Sequence, residues 1–172
     1  VLFRSARDSS GSTPLLIAAQ YGTANVVSLL LNAGADAGVV DAGKRSACLL
    51  ACENHNVGVM RALIAGGAPF GVDVLRKAME WSNLDAVRAL VDAGMDVASQ
   101  FDMNLWSHYD LTGEMIEFLI REGVNFRARN DRGQTLCHFA SSTCQAVLFA
   151  RGVDLNVADN EGKTPLMNAY DD

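Results

Sequence analysis

The chain has 172 residues, of which 49% are hydrophobic, and its net charge at neutral pH is −6. This composition is typical of a folded protein, and no apolar run reaches the roughly 20 residues that a membrane-spanning helix needs. The acidic surplus lies in the second half of the chain and disfavours binding to the phosphate backbone of nucleic acids.

The most informative segment, residues 12–22, predicts a short and closely packed helix. Thr13 is a suitable N-cap, because its hydroxyl can accept a hydrogen bond from a free helix N–H. Pro14 suits the first helical turn, where the missing N–H costs nothing. The small side chains of Ala18 and Ala19 allow a second helix to approach closely. Weaker copies of this segment recur along the chain.

A second helix is predicted after each such segment, and each ends in an apolar triplet followed by a glycine. A glycine just past a helix end suits the left-handed backbone that commonly terminates helices. These glycines, at intervals of 33, 27, 29 and 29 residues, are Gly34, Gly67, Gly94, Gly123 and Gly152. Recurrence at this period is typical of a solenoid of stacked helix pairs, a class that usually binds other molecules.

Tight turns are predicted ahead of the first helices, where an Asp-x-x-Gly sequence favours the tip of a projecting β-hairpin. Clear examples are Asp8–Gly11 and Asp159–Gly162. The third and fourth copies lack a full hairpin. The fifth copy is about four residues short between Ser141 and Cys144, where the turn between its helices is expected. We therefore expect irregular stacking in the middle of the array.

The repeated pattern resembles the ankyrin repeat family. The residues of the first copy that carry the resemblance are Gly11, Thr13–Leu15, Ala18–Ala19, Gly22 and Gly34–Asp36. Those of the fifth and last copies are Gly133, Thr135, His138, Ala140, Gly152, Gly162 and Thr164–Leu166. The resemblance implies an all-α ankyrin-repeat solenoid of stacked helix pairs, with short β-hairpin or loop connections.

The array is predicted to hold five copies and a truncated sixth. Their approximate ranges are 8–40, 41–71, 72–98, 99–129, 130–158 and 159–172. We interpret residues 1–7 as a non-native or fragmentary segment, because residues 1–5 fit no repeat position and can be encoded by the end of a common sequencing-library adapter. The alternative is a genuine terminal strand. The chain stops inside the first helix of the last copy, as expected of a metagenomic fragment.

Catalytic and metal chemistry are not expected. The four cysteines, Cys48, Cys52, Cys137 and Cys144, fall at core positions of the repeat and are predicted to be reduced, buried thiols. A metal site on Cys48, Cys52 and a distant His is the alternative, but no CxxC pair supports it. Cys137 and His138 are neighbours whose side chains point about 100° apart on a helix, so they form no nucleophile–base pair. We expect no enzyme activity and no cofactor.

A partner-binding surface is implied by the resemblance, which places the ends of the first helices and the hairpin tips on a concave face. Tyr21, Trp81 and Tyr109 fall near the ends of first helices, with Glu53 and Arg132 at the edges of the same face. Tyr and Trp are common interface anchors. The alternative for each ring is that it covers the neighbouring repeat.

Three further predictions concern single residues. His138 stands where the family keeps a structural histidine that ties adjacent hairpins together. Trp106 and Phe139 match Ile17 in register and are expected in the core. Asn156 lies in a sequence that resembles a hydroxylation site of ankyrin hairpins in some eukaryotes, but we favour the simpler interpretation of an ordinary turn-favouring Asn.

The sequence therefore predicts a module that binds a protein or peptide on its concave face. An alternative is the targeting or substrate-recognition part of a larger enzyme or effector whose catalytic domain lies outside this fragment. A structural spacer is a third possibility. No signal peptide is visible, and we expect an intracellular, cytoplasmic monomer with neither nucleic acid nor membrane as a partner.

Overall fold

The computed structural model describes residues 6–100 and 111–168. The regular secondary structure in these ranges consists of helices. Their α-helices are α1 (Pro14–Tyr21), α2 (Ala24–Asn32), α3 (Ala47–Glu53), α4 (Val57–Ala65), α5 (Val72–Glu80), α6 (Leu84–Asp92), α7 (Gly113–Arg121), α8 (Ser142–Ala150) and α9 (Pro165–Asn168). A 3₁₀ turn spans Leu136–His138, and an isolated antiparallel bridge joins Val40 to Ser46. The predicted all-α fold is therefore confirmed.

The chain forms two compact units. The first contains the described residues up to Ala78, together with Asp85–Met95. The second contains Met79–Leu84 and the described residues from Asp96 onward. Helices α1 to α4 belong wholly to the first unit, and α7 to α9 belong wholly to the second.

Packing in the first unit follows from the predicted repeat. Helix α1 packs against α3 and α2 against α4, so equivalent helices of successive copies stack on each other. Leu15, Leu50 and Leu63 are buried between them. Gly22 ends α1, and a Cβ there would lie 2.6 Å from the Ala18 carbonyl oxygen. The close packing at this helix end therefore requires glycine.

Helix boundaries also follow the sequence. The Thr13 hydroxyl accepts a hydrogen bond from the Leu16 N–H at 3.4 Å, and the Ser46 hydroxyl accepts one from the Leu49 N–H at 3.2 Å. All five glycines predicted past helix ends have positive φ, between 77° and 95°. The second helices α2, α4, α6, α7 and α8 each have nine residues, so they form a framework of constant length.

The hairpin tips are held by side-chain acceptors. The Asp8 carboxylate accepts hydrogen bonds from the backbone N–H groups of Ser10 at 2.8 Å and Ser12 at 2.9 Å. Hydrogen bonding, chiefly from the Ser10 hydroxyl, lowers the pKa of Asp8 below its ordinary value. Asp159 repeats the pattern with the N–H groups two and four residues further on, both at 2.9 Å. These carboxylates shape the turns.

The fifth copy departs from the regular helix pair. Its first helix is reduced to the 3₁₀ turn, while α8 begins at Ser142 after a connection of ordinary length. The expectation of a shortened turn is therefore wrong, because the missing residues come from the first helix instead. Phe139, expected in the core, is exposed because it lies just past the end of this short turn. Ile17 is exposed as well, and Trp106 lies outside the described residues.

Two buried polar side chains hold the shortened fifth copy together. The Thr135 N–H donates to His138 Nδ1 at 3.0 Å. Nε2 of the neutral ring therefore carries the proton, and it donates to the Lys163 carbonyl at 3.3 Å. This confirms the predicted tie between adjacent hairpins. Gln145 Nε2 donates to the carbonyls of Cys137 at 3.1 Å and Pro165 at 3.3 Å, so one side chain links the fifth copy to α9 of the next.

Candidate partner-binding surfaces

Tyr21 is more exposed than Trp81, the other predicted aromatic site residue within the described ranges. It is the last residue of α1, and 76% of it is exposed. The ring borders an apolar hollow of 460 Å³ in the first unit. The hollow is lined by Pro14, Ile17, Ala18, Tyr21, Gly22, Val26 and Leu30. A large ring beside apolar surface, fixed at the end of a packed helix, has the chemistry of an interface anchor.

Glu53 is the last residue of α3, and it is ion-paired within the chain. The Arg45 guanidinium contacts the Glu53 carboxylate at 3.2 Å and the Asp41 carboxylate at 2.7 Å. Burial opposes ionisation of Asp41, but hydrogen bonds from Arg45 outweigh it and hold the pKa of Asp41 below its ordinary value. Glu53 thus belongs to a three-residue charged cluster at the edge of the first unit.

Trp81 directly follows α5 and belongs to the second unit. Its side chain is exposed, with 38% of the residue accessible to solvent. Tyr109 lies outside the described residues. Tyr21 and Glu53 thus end the stacked helices α1 and α3 of the first unit, whereas Trp81 belongs with Arg132 to the second.

Arg132 is exposed at the hairpin tip of residues 130–133. Its carbonyl accepts a hydrogen bond from the Asn160 N–H at 3.0 Å, and the Asn160 side chain donates to the Asp131 carbonyl at 3.1 Å. These bonds tie two successive hairpins together. A polar hollow of 430 Å³ lies between them and is lined by Asp131, Arg132, Gln134, Asp159, Asn160, Glu161 and Lys163. Charges of both signs therefore surround Arg132.

The four cysteines are buried and free, as predicted. Burial raises the pKa of the Cys48 thiol to about 12 and that of Cys52 to about 11, and it also raises the pKa of Cys137. The Cys144 thiol donates to the Leu111 carbonyl at 2.9 Å. Protonated, enclosed thiols are poor nucleophiles and poor metal ligands at neutral pH.

Neither a cluster of metal-binding side chains nor a membrane-spanning helix occurs in the part of the chain that the structure describes. Across 6–100 and 111–168, no three His, Cys, Asp or Glu side chains gather closely enough to hold a metal ion. Within the same ranges, every helix is too short or too polar to traverse a lipid bilayer.

Sequence reasoning missed two features of these surfaces. Arg45 is not among the predicted site residues, yet it forms ion pairs with both Asp41 and Glu53. Its position four residues after Asp41 was the available signal, since this spacing brings the two side chains together across the turn. The apolar hollow beside Tyr21 was also missed, because Ile17 was assigned to the core by register alone.

The stacked helix pairs, their N-caps and their left-handed glycines define a helical repeat protein. Residues 15–101, half of the chain, match the family model described as ankyrin repeats (3 copies). The chain therefore belongs to the ankyrin repeat family, whose repeats are protein–protein interaction modules.

One known protein is similar to part of the chain in sequence, and another is similar to most of the chain in structure. The tyrosine-protein kinase HTK16 of Hydra vulgaris is 38% identical over 63 residues, which are 37% of this chain and 8% of the kinase. The chain thus spans under a tenth of that protein. The crystal structure of the ankyrin repeat domain of Bcl-3, a member of the IkappaB protein family, covers 96% of this chain and 81% of its own. Its TM-score of 0.74 at 23% identity supports the fold.

Proposed function

We propose that the chain is a non-catalytic module that binds a protein or peptide at the ends of its first helices. The observation that carries this proposal is the exposure of the Tyr21 ring at the end of α1. The module is proposed to be an intracellular, cytoplasmic monomer of five repeats and a truncated sixth. Neither nucleic acid nor a membrane is proposed as a partner.

The repeat register supports a binding role for the Tyr21 position. Asn54 stands 33 residues later, in a copy with helices stacked before and after it, and it is also exposed. Repeat stacking therefore does not cover this position, and a ring placed there remains available to a partner. Large rings on packed helices bury much area at a low cost in side-chain entropy.

The second unit contributes Trp81 to the proposal. Its side chain is 38% exposed, and we propose that a partner covers it further on binding. Arg132 is proposed to contact the same class of partner from a hairpin tip. Tyr109 is proposed for the same role from its sequence position, and Glu53 is proposed as an edge contact.

Alanine variants of the two described rings test the proposal. With a peptide selected from a displayed library, Tyr21→Ala and Trp81→Ala should each weaken binding by on the order of 2 kcal/mol, measured by titration calorimetry. The matched controls are Leu29→Ala and Phe149→Ala, which remove exposed apolar side chains from second helices. The proposal is contradicted if Tyr21→Ala and Trp81→Ala bind the peptide as tightly as the parent chain while Phe149→Ala binds it more weakly. The site would then lie elsewhere.

A second candidate function is recognition on behalf of a larger enzyme. The similarity to a small part of a tyrosine-protein kinase favours it, because 63 residues of this chain match 8% of that protein. The complete open reading frame decides between the two candidates. A catalytic domain encoded in the same frame would establish the second, and a frame that encodes repeats alone would exclude it.

A further inference from the structure

We infer that the apolar hollow beside α1 is a repeat-stacking face, and that its occupant is a further ankyrin-type helix pair encoded ahead of residue 6. The hollow consists of one face of α1 and α2, centred on Ile17, Val26 and Leu30. Tyr21 lies at the rim of both surfaces, but the stacking face is defined by Ile17, Val26 and Leu30, and the substitutions that test it leave the proposed contact residues unchanged.

Equivalent positions in the first two copies differ in burial. Ile17 is 43% exposed and Val26 is 44% exposed. Their equivalents 33 residues later, Leu50 and Val59, are fully buried. The first copy has a following copy stacked on it, while the second has helices both before and after it. The positions that differ in burial are therefore those that face a preceding copy.

The difference in burial between the two copies is confined to one face. Leu15 and its equivalent Cys48 are buried in both copies, as are Ala19 and its equivalent Cys52. Tyr21 and Asn54 are exposed in both. Only the face towards a preceding copy changes from exposed to buried. The hollow thus has the apolar composition of an interior surface of the array rather than the polar outer face that a terminal repeat needs.

The residue that leads into the first hairpin, Arg7, makes contacts that are typical of a connection between repeats in this chain. The Arg7 guanidinium donates to the Gly11 carbonyl at 2.6 Å and the Val40 carbonyl at 2.9 Å. Arg129 makes the same pair of contacts in the second unit, with the carbonyls of Gly133 and Ala158, both at 3.0 Å. Arg129 lies in a connection that follows a helix of the preceding copy, α7. Arg7 therefore occupies the position of a connection between two repeats, and these contacts count against a non-native origin for this residue.

A chain extended by one repeat tests the inference. A second copy of residues 8–40 is inserted directly ahead of residue 8, so that the junction reproduces the natural step from residue 40 to residue 41. Ala33 of the original copy is changed to Gly, because its equivalent Gly66 contacts Leu31 of the preceding copy with no room for a Cβ. The extended and parent chains are then unfolded in urea.

If the added repeat stacks on α1 and α2, the extended chain should unfold at a higher urea concentration than the parent chain. Its m-value should also rise by about a fifth, in proportion to the added buried surface. The matched control is the extended chain with Ile17→Asn and Val26→Asn in the original copy, which should lose the rise in midpoint. The same two substitutions in the parent chain should have little effect. An extension that leaves the midpoint unchanged overturns the inference.

Two further outcomes distinguish other occupants. If the parent chain sediments as a dimer and the two Asn substitutions make it monomeric, the occupant is a second copy and the inference is overturned. The upstream open reading frame should encode a helix pair that ends in an apolar triplet and a glycine. An upstream frame that encodes no helix pair also overturns it.

Discussion

The second and fifth copies build the same kind of layer with different interactions. The second copy has a full first helix, α3, whose interior side is apolar apart from two thiols. The fifth copy keeps only a three-residue turn and replaces the lost packing with hydrogen bonds from His138 and Gln145. A shortened repeat therefore persists in an array when buried polar side chains supply partners to the exposed backbone groups.

The largest effect is expected in the apolar second copy. Leu63→Ala removes a fully buried side chain from α4 and should lower the free energy of unfolding by about 2–5 kcal/mol, because it leaves a cavity. Chemical denaturation measures the change. Leu29→Ala, at an exposed position of α2, is the control and should cost far less. Equal costs for the two variants would mean that α4 does not pack as described.

A smaller effect is expected from the polar fifth copy. Gln145→Leu preserves volume but removes the donor to the Cys137 and Pro165 carbonyls, and it should cost about 1–3 kcal/mol. Gln100→Leu, at an exposed site of the same unit, is the matched control. A stabilised Gln145→Leu variant would show that the fifth copy, like the second, depends on apolar packing alone.

Acid should destabilise the hairpins whose turns are held by an aspartate carboxylate. It should have less effect on the hairpin that leads into the fifth copy, where Asn130 takes the place of the aspartate. The pKa of Asp41 and that of Asp159 are lowered in the folded chain, so their contribution to stability is present above the unfolded value near 4. It is lost as the pH falls through the folded values. Asn130 fills the same role without titrating, since its Oδ1 accepts from the N–H groups of Arg132 and Gln134.

Hydrogen-exchange protection factors measured at pH 6 and pH 3 test this difference. Protection should fall at the hairpins of Asp41 and Asp159 and persist at the hairpin of Asn130. Asn130→Asp should transfer the acid sensitivity to that hairpin. Uniform loss of protection at all three would contradict a local role for the carboxylates.

The smallest effect is expected on the outer side of the second unit. The Glu117 carboxylate lies 3.2 Å from the Arg151 guanidinium, and both side chains are about two-fifths exposed. Such a pair contributes about 0–1 kcal/mol, because water and salt screen it. Glu117→Gln should therefore change neither stability nor partner binding beyond that range. A larger loss of affinity would place the partner on this side of the molecule.

Local chemistry explains which features were predictable. N-caps, left-handed glycines and the buried register of the cysteines depend on one or two neighbouring residues, and each is confirmed. The His138 tie was implied by the family resemblance, and its hydrogen bonds confirm it. The exposure of Ile17 was not predictable, because burial at that position depends on a neighbouring layer. The role of Gln145 was not predictable either, since its partners lie 8 and 20 residues away.

The constant nine-residue length of the second helices has a consequence for how the chain can vary. Among the described first helices, lengths range from nine residues in α5 to three in the turn of the fifth copy. The copies of this chain therefore differ in length in their first helices and connections, whereas the described second helices keep one length. A chain built in this way can vary the ends of its first helices, where a partner is proposed to bind, while the layer of second helices stays the same.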